Sequence, residues 1–294
     1  MKKFLTYFVD IALSVVVLAL LSDWANMYLV HHSTGNSISK MEKLWQSTND
    51  EEISIMGSSR ALGNFYPSEL SPECFNYGVN GMALKEILFN LKALEGRNSK
   101  WPIILNFDPW SNLSKGDGNW VGDYRLAPLS GRSTILDIIP GIRFYGMFRK
   151  NLTDYLNSKK AVTKVVDRGA VLLKTSRSEK EWEVINSKLS PWHFEYANWV
   201  EKFEQSMRTL APRKVIVVVC PCSSRKTELF TGKNKLEAFL TRISKLSNVR
   251  VINYYGSDKF SDEDFTDPTH FNVEGARKFS RMLKKEIGLI INIK

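Results

Sequence analysis

The sequence predicts a three-layer α/β/α sandwich around a five-stranded parallel sheet, preceded by a transmembrane helix at the N-terminus. Three observations predict this fold. Short apolar runs recur along the chain, as expected for strands buried on both faces. Segments with helical periodicity separate these runs, which is the alternation of a parallel sheet covered by helices. The first apolar segment is also long enough to cross a bilayer. The strands are expected at residues 53–56, 74–77, 102–107, 214–220 and 249–254.

The N-terminal segment is the first expected element. Lys2 and Lys3 precede the largely apolar run 4–21, and these 18 positions are about the minimum for a helix that spans a membrane. No Lys or Arg follows before Lys40, so the charges favour a cytoplasmic N-terminus and an extracytoplasmic remainder. The alternatives are a cleaved signal peptide and an amphipathic helix packed on the domain, the second because Asp10 is costly at mid-membrane depth. The expected division is an anchor at 1–22, a linker at 23–52 and a catalytic domain at 53–294.

Helices are expected between the strands. Residues 83–95 carry leucine and isoleucine side chains on one helical stripe, which must pack on the sheet. Asn272 is the expected N-cap of the last helix. Residues 111–190 interrupt the alternation, and we predict that they form a mostly helical insertion over the carboxyl edge of the sheet. The other helices are expected at 194–210, 233–246 and 272–287.

The composition limits the classes of partner. The net charge is +10, and residues 141–180 contain ten basic side chains against three acidic ones. Such a stretch suits anionic headgroups or an acidic polysaccharide at least as well as nucleic acid, and a solvated surface is the simplest explanation. We therefore expect no nucleic-acid partner. The three cysteines are too few for a disulfide framework, and no His and Cys cluster has zinc-site spacing, so we expect no metal and no cofactor.

The residues that follow the strands carry the candidate chemistry, because the site of an open parallel sheet lies beyond its carboxyl ends. A serine that leaves the first strand through Gly57 at the start of a helix, as Ser59 does, presents its hydroxyl to a substrate. A helix cap is the plainer interpretation of this serine. After the fifth strand, His270 can take the serine proton while Asp267 orients its ring. The plainer interpretation of that pair is a loop in which Asp267 caps backbone groups. Together the three residues predict a Ser-His-Asp triad.

These blocks resemble the SGNH, or GDSL-like, hydrolase superfamily over residues 51–110 and 214–287. The shared order is Gly-x-Ser after the first strand, a glycine-bearing loop after the second, an asparagine-bearing loop after the third and Asp-x-x-His before the last helix. Within the superfamily, the chain looks most like extracytoplasmic members that modify cell-surface polymers, such as DltD-like D-alanyl transfer proteins and alginate O-acetyltransferase-like proteins. The resemblance implies a flavodoxin-like SGNH fold and serine ester chemistry.

The resemblance also implies roles for residues at matching positions. Ser59 is the expected nucleophile and supplies one N–H to the oxyanion hole, with Ser58 in place of the usual aspartate. Gly81 matches the glycine whose N–H is a second oxyanion donor. The third block departs from the family because Phe107 occupies the asparagine position. Either the turn shifts so that Asn106 donates to the oxyanion, or this donor is missing.

Three further residues are candidate substrate ligands. Arg60 could bind an anionic polymer, although an ion pair with a carboxylate of the domain is the simpler role. Asp108 could position a substrate hydroxyl or simply end its strand. Trp110, like Trp101 and Trp120, could stack on a sugar ring at the mouth of the site or pack in the interior.

The expected activity is acyl transfer through an acyl-enzyme. With water as acceptor, the protein is an esterase acting on acyl, most simply acetyl, esters of a cell-surface polysaccharide. With a sugar hydroxyl as acceptor, it is an O-acyltransferase and needs a membrane-embedded acyl-donor partner. The altered third block leaves an alternative open, namely an inactive SGNH-fold protein that binds or assembles polymer during polysaccharide export. In each case one membrane span holds the domain in the periplasm or on the outer surface.

Overall fold

The computed structural model describes residues 2–33, 37–47, 51–109, 148–159, 164–175, 177–194 and 199–291. The chain forms two compact units, of which the first contains residues 1–45 and 121–161 and the second contains residues 46–120 and 162–294.

The helices and strands are numbered along the chain within these described residues. The α-helices are α1 (Lys2–His32), α2 (Ser37–Gln46), α3 (Ser59–Asn64), α4 (Pro67–Leu70), α5 (Leu84–Leu91), α6 (Phe148–Lys159), α7 (Glu179–Asn186), α8 (Trp199–Thr209), α9 (Ser224–Glu228), α10 (Lys233–Ile243) and α11 (Val273–Ile291). The strands are β1 (Ile53–Met56), β2 (Cys74–Asn76), β3 (Ile103–Asn106), β4 (Lys164–Asp167), β5 (Ala170–Leu173), β6 (Trp192–His193), β7 (Val215–Val219), β8 (Phe230–Thr231), β9 (Val249–Asn253), β10 (Phe265–Asp267) and β11 (His270–Phe271).

The first unit contains the apolar helix that the sequence predicts. Within the described residues, α1 is the one helix long and apolar enough to span a membrane, a judgement that rests on length and composition alone. Its side chains from Phe4 to Leu21 are almost all exposed, whereas Leu29 and Val30 are buried. The exposed stretch coincides with the run that the sequence identifies as an anchor.

α1 continues to His32, beyond the expected anchor boundary at residue 22. The segment expected as a linker, 23–52, contains the end of α1 and all of α2. The sequence has no Pro or Gly between Lys2 and His32, so nothing in it stops the helix. In the same unit, Nδ2 of Asn151 on α6 donates to Oδ1 of Asn26 at 3.0 Å, and both side chains are buried.

The second unit is built on a five-stranded parallel sheet, as the sequence predicts, and the strand order is β2-β1-β3-β7-β9. The chain starts at β1, moves to β2 on one side, and then builds the other side through β3, β7 and β9. The order reverses between β1 and β3. In open α/β sheets this switch point, at the carboxyl ends of the strands, is where ligands bind.

Alternate residues of a strand point to opposite faces of the sheet, and helices cover both faces. On one face, Ile104 and Val218 join Phe279 of α11 in one core cluster. On the other face, Phe107 packs against Phe239 of α10, with ring centroids 5.0 Å apart. Asn272 caps α11 as expected, since its Oδ1 accepts from the N–H of Gly275 at 2.9 Å. The result is the predicted three-layer arrangement.

The antiparallel hairpin of β4 and β5 is an element that the sequence did not predict. It falls within the expected helical insertion at 111–190, whose described part also contains α6 and α7; residues 110–147 lie outside the described residues. Ala170 and Leu172 of β5 are fully buried in the main core. The carbonyl of Arg168 accepts from the N–H of Asn76 at 2.8 Å, so the hairpin lies beside β2.

Candidate active site

Gly57 makes the turn that brings Ser59 to the carboxyl end of β1. Its φ of +149° lies in a region that other residues rarely adopt. A β-carbon at this position would lie 2.7 Å from Cβ of Ala61, so only glycine fits. Ser58 then caps α3, with its Oγ accepting from the backbone N–H of Arg60 at 3.3 Å. Ser59 is therefore the first residue of a helix that starts immediately after the strand.

The structure brings Ser59, His270 and Asp267 together. Nε2 of His270 lies 2.9 Å from Oγ of Ser59, although the two residues are 211 positions apart. Nδ1 of the same ring lies 2.8 Å from Oδ2 of Asp267. The side chains of His270 and Asp267 are 25% and 35% exposed, and Ser59 is half-buried, so all three can be reached from solvent. In this geometry, the imidazole can take the serine proton as the oxygen attacks a carbonyl carbon.

Hydrogen bonds hold Asp267 in its charged form. Oδ1 accepts from the backbone N–H groups of Thr269 at 2.9 Å and His270 at 3.0 Å. Burial by itself would raise the pKa of Asp267, but the bonds to His270 and Thr269 and the attraction to His270 outweigh it and lower the pKa to about 2. An ionised Asp267 favours the tautomer with the proton on Nδ1, which leaves Nε2 as the acceptor for the hydroxyl of Ser59.

A buried ion pair lies next to the Ser59 turn. Nη1 of Arg60 is 2.9 Å from Oδ1 of Asp108, and the two side chains are 2% and 3% exposed. Oγ of Ser58 donates to the other carboxylate oxygen of Asp108. Nη2 of Arg60 also donates to the carbonyls of Cys220 at 2.8 Å and Pro221 at 2.6 Å. One guanidinium and one carboxylate thus connect the segments that follow β1, β3 and β7.

This burial favours the structural roles of Arg60 and Asp108 over the alternative in which they bind substrate. Both side chains face the interior, and protein groups take up their charges, so the simpler ion-pair role holds for Arg60. Trp110, the third candidate ligand, lies outside the described residues. Trp101 lies just before β3, at the opposite end of the sheet from Ser59, where it does not flank the mouth of the site.

Asn106 belongs to the same buried network. Its Nδ2 donates to Oδ1 of Asp108 at 3.0 Å, and its Oδ1 accepts from Sγ of Cys220 at 3.0 Å. Burial raises the pKa of the Cys220 thiol, which therefore keeps its proton to donate. Phe107, at the position where the family resemblance implies asparagine, is buried among aromatic rings. Of the two alternatives for the third block, this arrangement favours a missing side-chain donor.

Two glycines follow β2 and differ in their surroundings. Gly81 has φ of +74°, is exposed, and has open space where a β-carbon would stand. Gly78, which the sequence analysis did not single out, is buried, and a β-carbon there would lie 2.5 Å from the backbone N of Leu62 on α3. The role of Gly81 as an oxyanion donor stays a prediction, while Gly78 is required for close packing of this loop on α3.

Asn64 is a site residue that the sequence analysis missed. It is fully buried at the last position of α3, and its side chain bonds the backbone of the strand that carries His270. Nothing in the local pattern around Asn64 signals this contact, because the two segments are more than two hundred residues apart. Among the described residues, no group of three or more His, Cys, Asp or Glu side chains is arranged to hold a metal ion.

Comparison with known proteins adds little to this geometry. No model of a protein family matches the chain, and no curated protein matches it. Among solved structures, the chain is similar to one provisionally described as a platelet activating factor from Streptococcus pneumonia, with 14% sequence identity and a TM-score of 0.43 over 93% of this chain and 99% of that one. A likeness at this level assigns neither an activity nor a substrate.

Proposed function

We propose that this chain is a serine ester hydrolase or O-acyltransferase of the SGNH type. One observation carries the proposal: Ser59, His270 and Asp267 form a hydrogen-bonded chain with distances of 2.9 and 2.8 Å. The three hydrogen-bonded side chains lie at the carboxyl end of a parallel sheet, where such folds bind ligands. A serine that only capped a helix would need no imidazole aligned on its hydroxyl.

The reaction proceeds by two displacements at Ser59. Oγ attacks the carbonyl carbon of an ester while Nε2 of His270 takes its proton, and the charged Asp267 stabilises the resulting imidazolium. The imidazolium then gives its proton to the departing alcohol, which leaves an acyl group on Ser59. Water or a sugar hydroxyl next loses its proton to His270 and attacks the acyl-enzyme, which restores the free serine.

Backbone N–H groups stabilise the oxyanion in this mechanism. The donors are the N–H of Ser59, at the start of α3, and the N–H of Gly81. Asn106 acts indirectly by holding Asp108. A site that lacks one oxyanion donor is slower by about 10²- to 10³-fold than a complete one, so we expect a modest turnover rate.

The substrate class is an acyl ester, most simply an acetyl ester, of a polysaccharide at the cell surface. The exposed apolar helix α1 supports this assignment, because a unit tethered by one span meets polymers as they leave the membrane. Lys2 and Lys3 at the start of α1 favour a cytoplasmic N-terminus and an extracytoplasmic catalytic unit. If the acceptor is a sugar hydroxyl, the protein is an O-acyltransferase and a membrane-embedded partner supplies the acyl group.

Ester turnover by the full-length chain in detergent tests the activity. With p-nitrophenyl acetate as substrate, we expect turnover that Ser59→Ala and His270→Ala each reduce by about 10³-fold or more. Ser206→Ala is the matched control, because Ser206 lies on α8 and its hydroxyl bonds the carbonyl of Lys202, away from the triad. Equal turnover by wild type and Ser59→Ala would contradict the proposal.

A binding protein without activity is the second candidate function. The observation that favours it is Asn106, whose amide is engaged by Asp108 and Cys220 instead of facing the site. In that case the folded wild type would show no turnover, would retain an exported polysaccharide on an affinity column, and would lose no affinity on Ser59→Ala.

A further inference from the structure

Asn64 bonds the backbone on both sides of His270. Its Nδ2 donates to the carbonyl of Thr269 at 3.0 Å, and its Oδ1 accepts from the N–H of Phe271 at 2.9 Å. A single planar amide therefore holds the residue before the imidazole and the residue after it. These two bonds fix where the backbone of His270 lies and in which direction its side chain leaves the strand.

Asn64 belongs to the same short helix as Ser59. α3 runs from Ser59 to Asn64, so the hydroxyl stands at its first position and the amide at its last. The Asn64 side chain is fully buried, and so is its bond to Phe271, while its bond to Thr269 is part-buried. Ser59 and the amide that bonds the backbone around His270 thus lie within one element of six residues.

Two neighbours on α3 complete the contact with the strand of His270. A β-carbon on Gly63 would lie 3.6 Å from Cδ2 of His270, so the ring lies close to the bare backbone at this position. Nε of Arg60 donates to the carbonyl of Thr269 at 3.1 Å, the same oxygen that accepts from Asn64. Arg60, Gly63 and Asn64 of α3 therefore all lie against the segment that carries His270. Of these three, Asn64 bonds the backbone on both sides of the ring.

We propose that Asn64 is a positioning residue that sets Nε2 of His270 against Oγ of Ser59. The inference rests on the proposed function. Without the amide, the backbone before the imidazole keeps its bond to Arg60, but the backbone after it loses its bond to α3 at Phe271, so the ring is held from one side only. A displacement of about 1 Å between reacting groups slows catalysis by about 10²-fold, so the effect on rate exceeds the effect on folding.

Asn64→Leu tests this role, because leucine has a similar size and removes both hydrogen bonds. The matched control is Asn248→Leu. Asn248 is also buried and donates to two carbonyls, those of Met207 at 2.8 Å and Arg213 at 3.3 Å, but it lies at the amino end of β9, away from the site. The full-length proteins are compared in detergent, at a temperature where circular dichroism shows each variant folded.

We expect Asn64→Leu to lower kcat for p-nitrophenyl acetate by about 10²-fold and to slow labelling by a fluorophosphonate similarly, with KM nearly unchanged. Asn248→Leu lowers Tm and leaves kcat and the labelling rate near the wild-type values. A second variant covers the case in which Asn64→Leu does not fold. Asn64→Asp keeps the acceptor for Phe271 but loses the donor to Thr269, and we expect it to lower kcat with KM unchanged.

Folded Asn64 variants with the kcat of the control would overturn the inference. So would a loss of rate that only follows the fraction of unfolded protein. Failure of the proposed function looks different, because the wild type itself would then show no turnover that depends on Ser59.

Discussion

Asp267 restrains His270 through both its ring and its backbone. The carboxylate lies 2.8 Å from Nδ1 and also accepts from the backbone N–H of His270 at 3.0 Å. The same oxygen accepts from the N–H of Thr269 at 2.9 Å. The charge therefore selects the tautomer of the ring and holds the tight connection between β10 and β11.

Asp267→Asn removes the charge of this carboxylate, and we expect it to lower both the free energy of unfolding, in a pH-dependent way, and kcat. Because the pKa of Asp267 is lowered from 3.8 to about 2, its stabilising contribution is fully present above about pH 4 and is lost as the pH falls through about 2. Urea unfolding of wild type and variant should give a constant difference in the free energy of unfolding at neutral pH, shrinking between about pH 4 and 2. At neutral pH, kcat should fall by about 10⁴-fold, because the amide favours the wrong tautomer.

Asp262→Asn is the control for this pH dependence, since Asp262 bonds Ser224 and not His270. A difference between wild type and Asp267→Asn that grows as the pH falls would show that the pKa of Asp267 is raised by folding, against this account.

The Arg60–Asp108 pair should behave as a coupled unit. Arg60→Met leaves a buried carboxylate without its cation and should lower the free energy of unfolding by about 3–5 kcal/mol. Asp108→Leu should have a similar effect, whereas the double variant should lose clearly less than the sum, because neither charge is then left alone. Urea unfolding of the four proteins gives the coupling directly. Strictly additive losses would mean that the two charges do not depend on each other.

The sequence predicts the three triad residues because each stands in a local pattern. Ser59 follows a strand and a glycine, and Asp267 precedes His270 by three positions in one loop. The contacts of Asn64 and Arg60 have no such signal, since their partners lie 205 and 209 positions away. An asparagine and an arginine at these positions form no recognisable motif, so their role at the site is visible only in the folded structure.

At the level of elements, the central strands were predictable because both of their faces are buried. β7, for example, is five apolar residues, all buried, and its run in the sequence is continuous. The hairpin of β4 and β5 was missed because each strand has only four residues and β4 exposes Lys164 and Val166. Short half-exposed strands resemble loops, and burial of Ala170 and Leu172 depends on packing that the local sequence does not reveal.

The orientation of α1 is testable with single cysteines. The native cysteines Cys74, Cys220 and Cys222 are buried, so they should react little with a maleimide. In intact cells producing the full chain, a membrane-impermeant maleimide should label Lys233→Cys and not Lys3→Cys, because the charge bias places the N-terminus inside. Lys3→Cys should be labelled once the cells are permeabilised. The reverse pattern in intact cells would contradict the proposed orientation.

At the scale of the whole molecule, the candidate site is assembled from segments that are far apart in sequence. The segments after β1, β3 and β7 and the pair of β10 and β11 meet at one end of the sheet, which follows from the doubly wound strand order. The sequence could predict this convergence, since all five strands are parallel. It could not predict that Arg60 and Asp108 join these segments from inside, because burial of a charge pair depends on its complete set of partners.

Mapping a covalent adduct tests the central claim most directly. The full-length protein is treated in detergent with a fluorophosphonate, digested and analysed by mass spectrometry. We predict one phosphonylated peptide, modified at Ser59, and loss of that modification in His270→Ala while Ser206→Ala is still modified. Folded wild-type protein that carries no adduct, or an adduct on a serine other than Ser59, would contradict it.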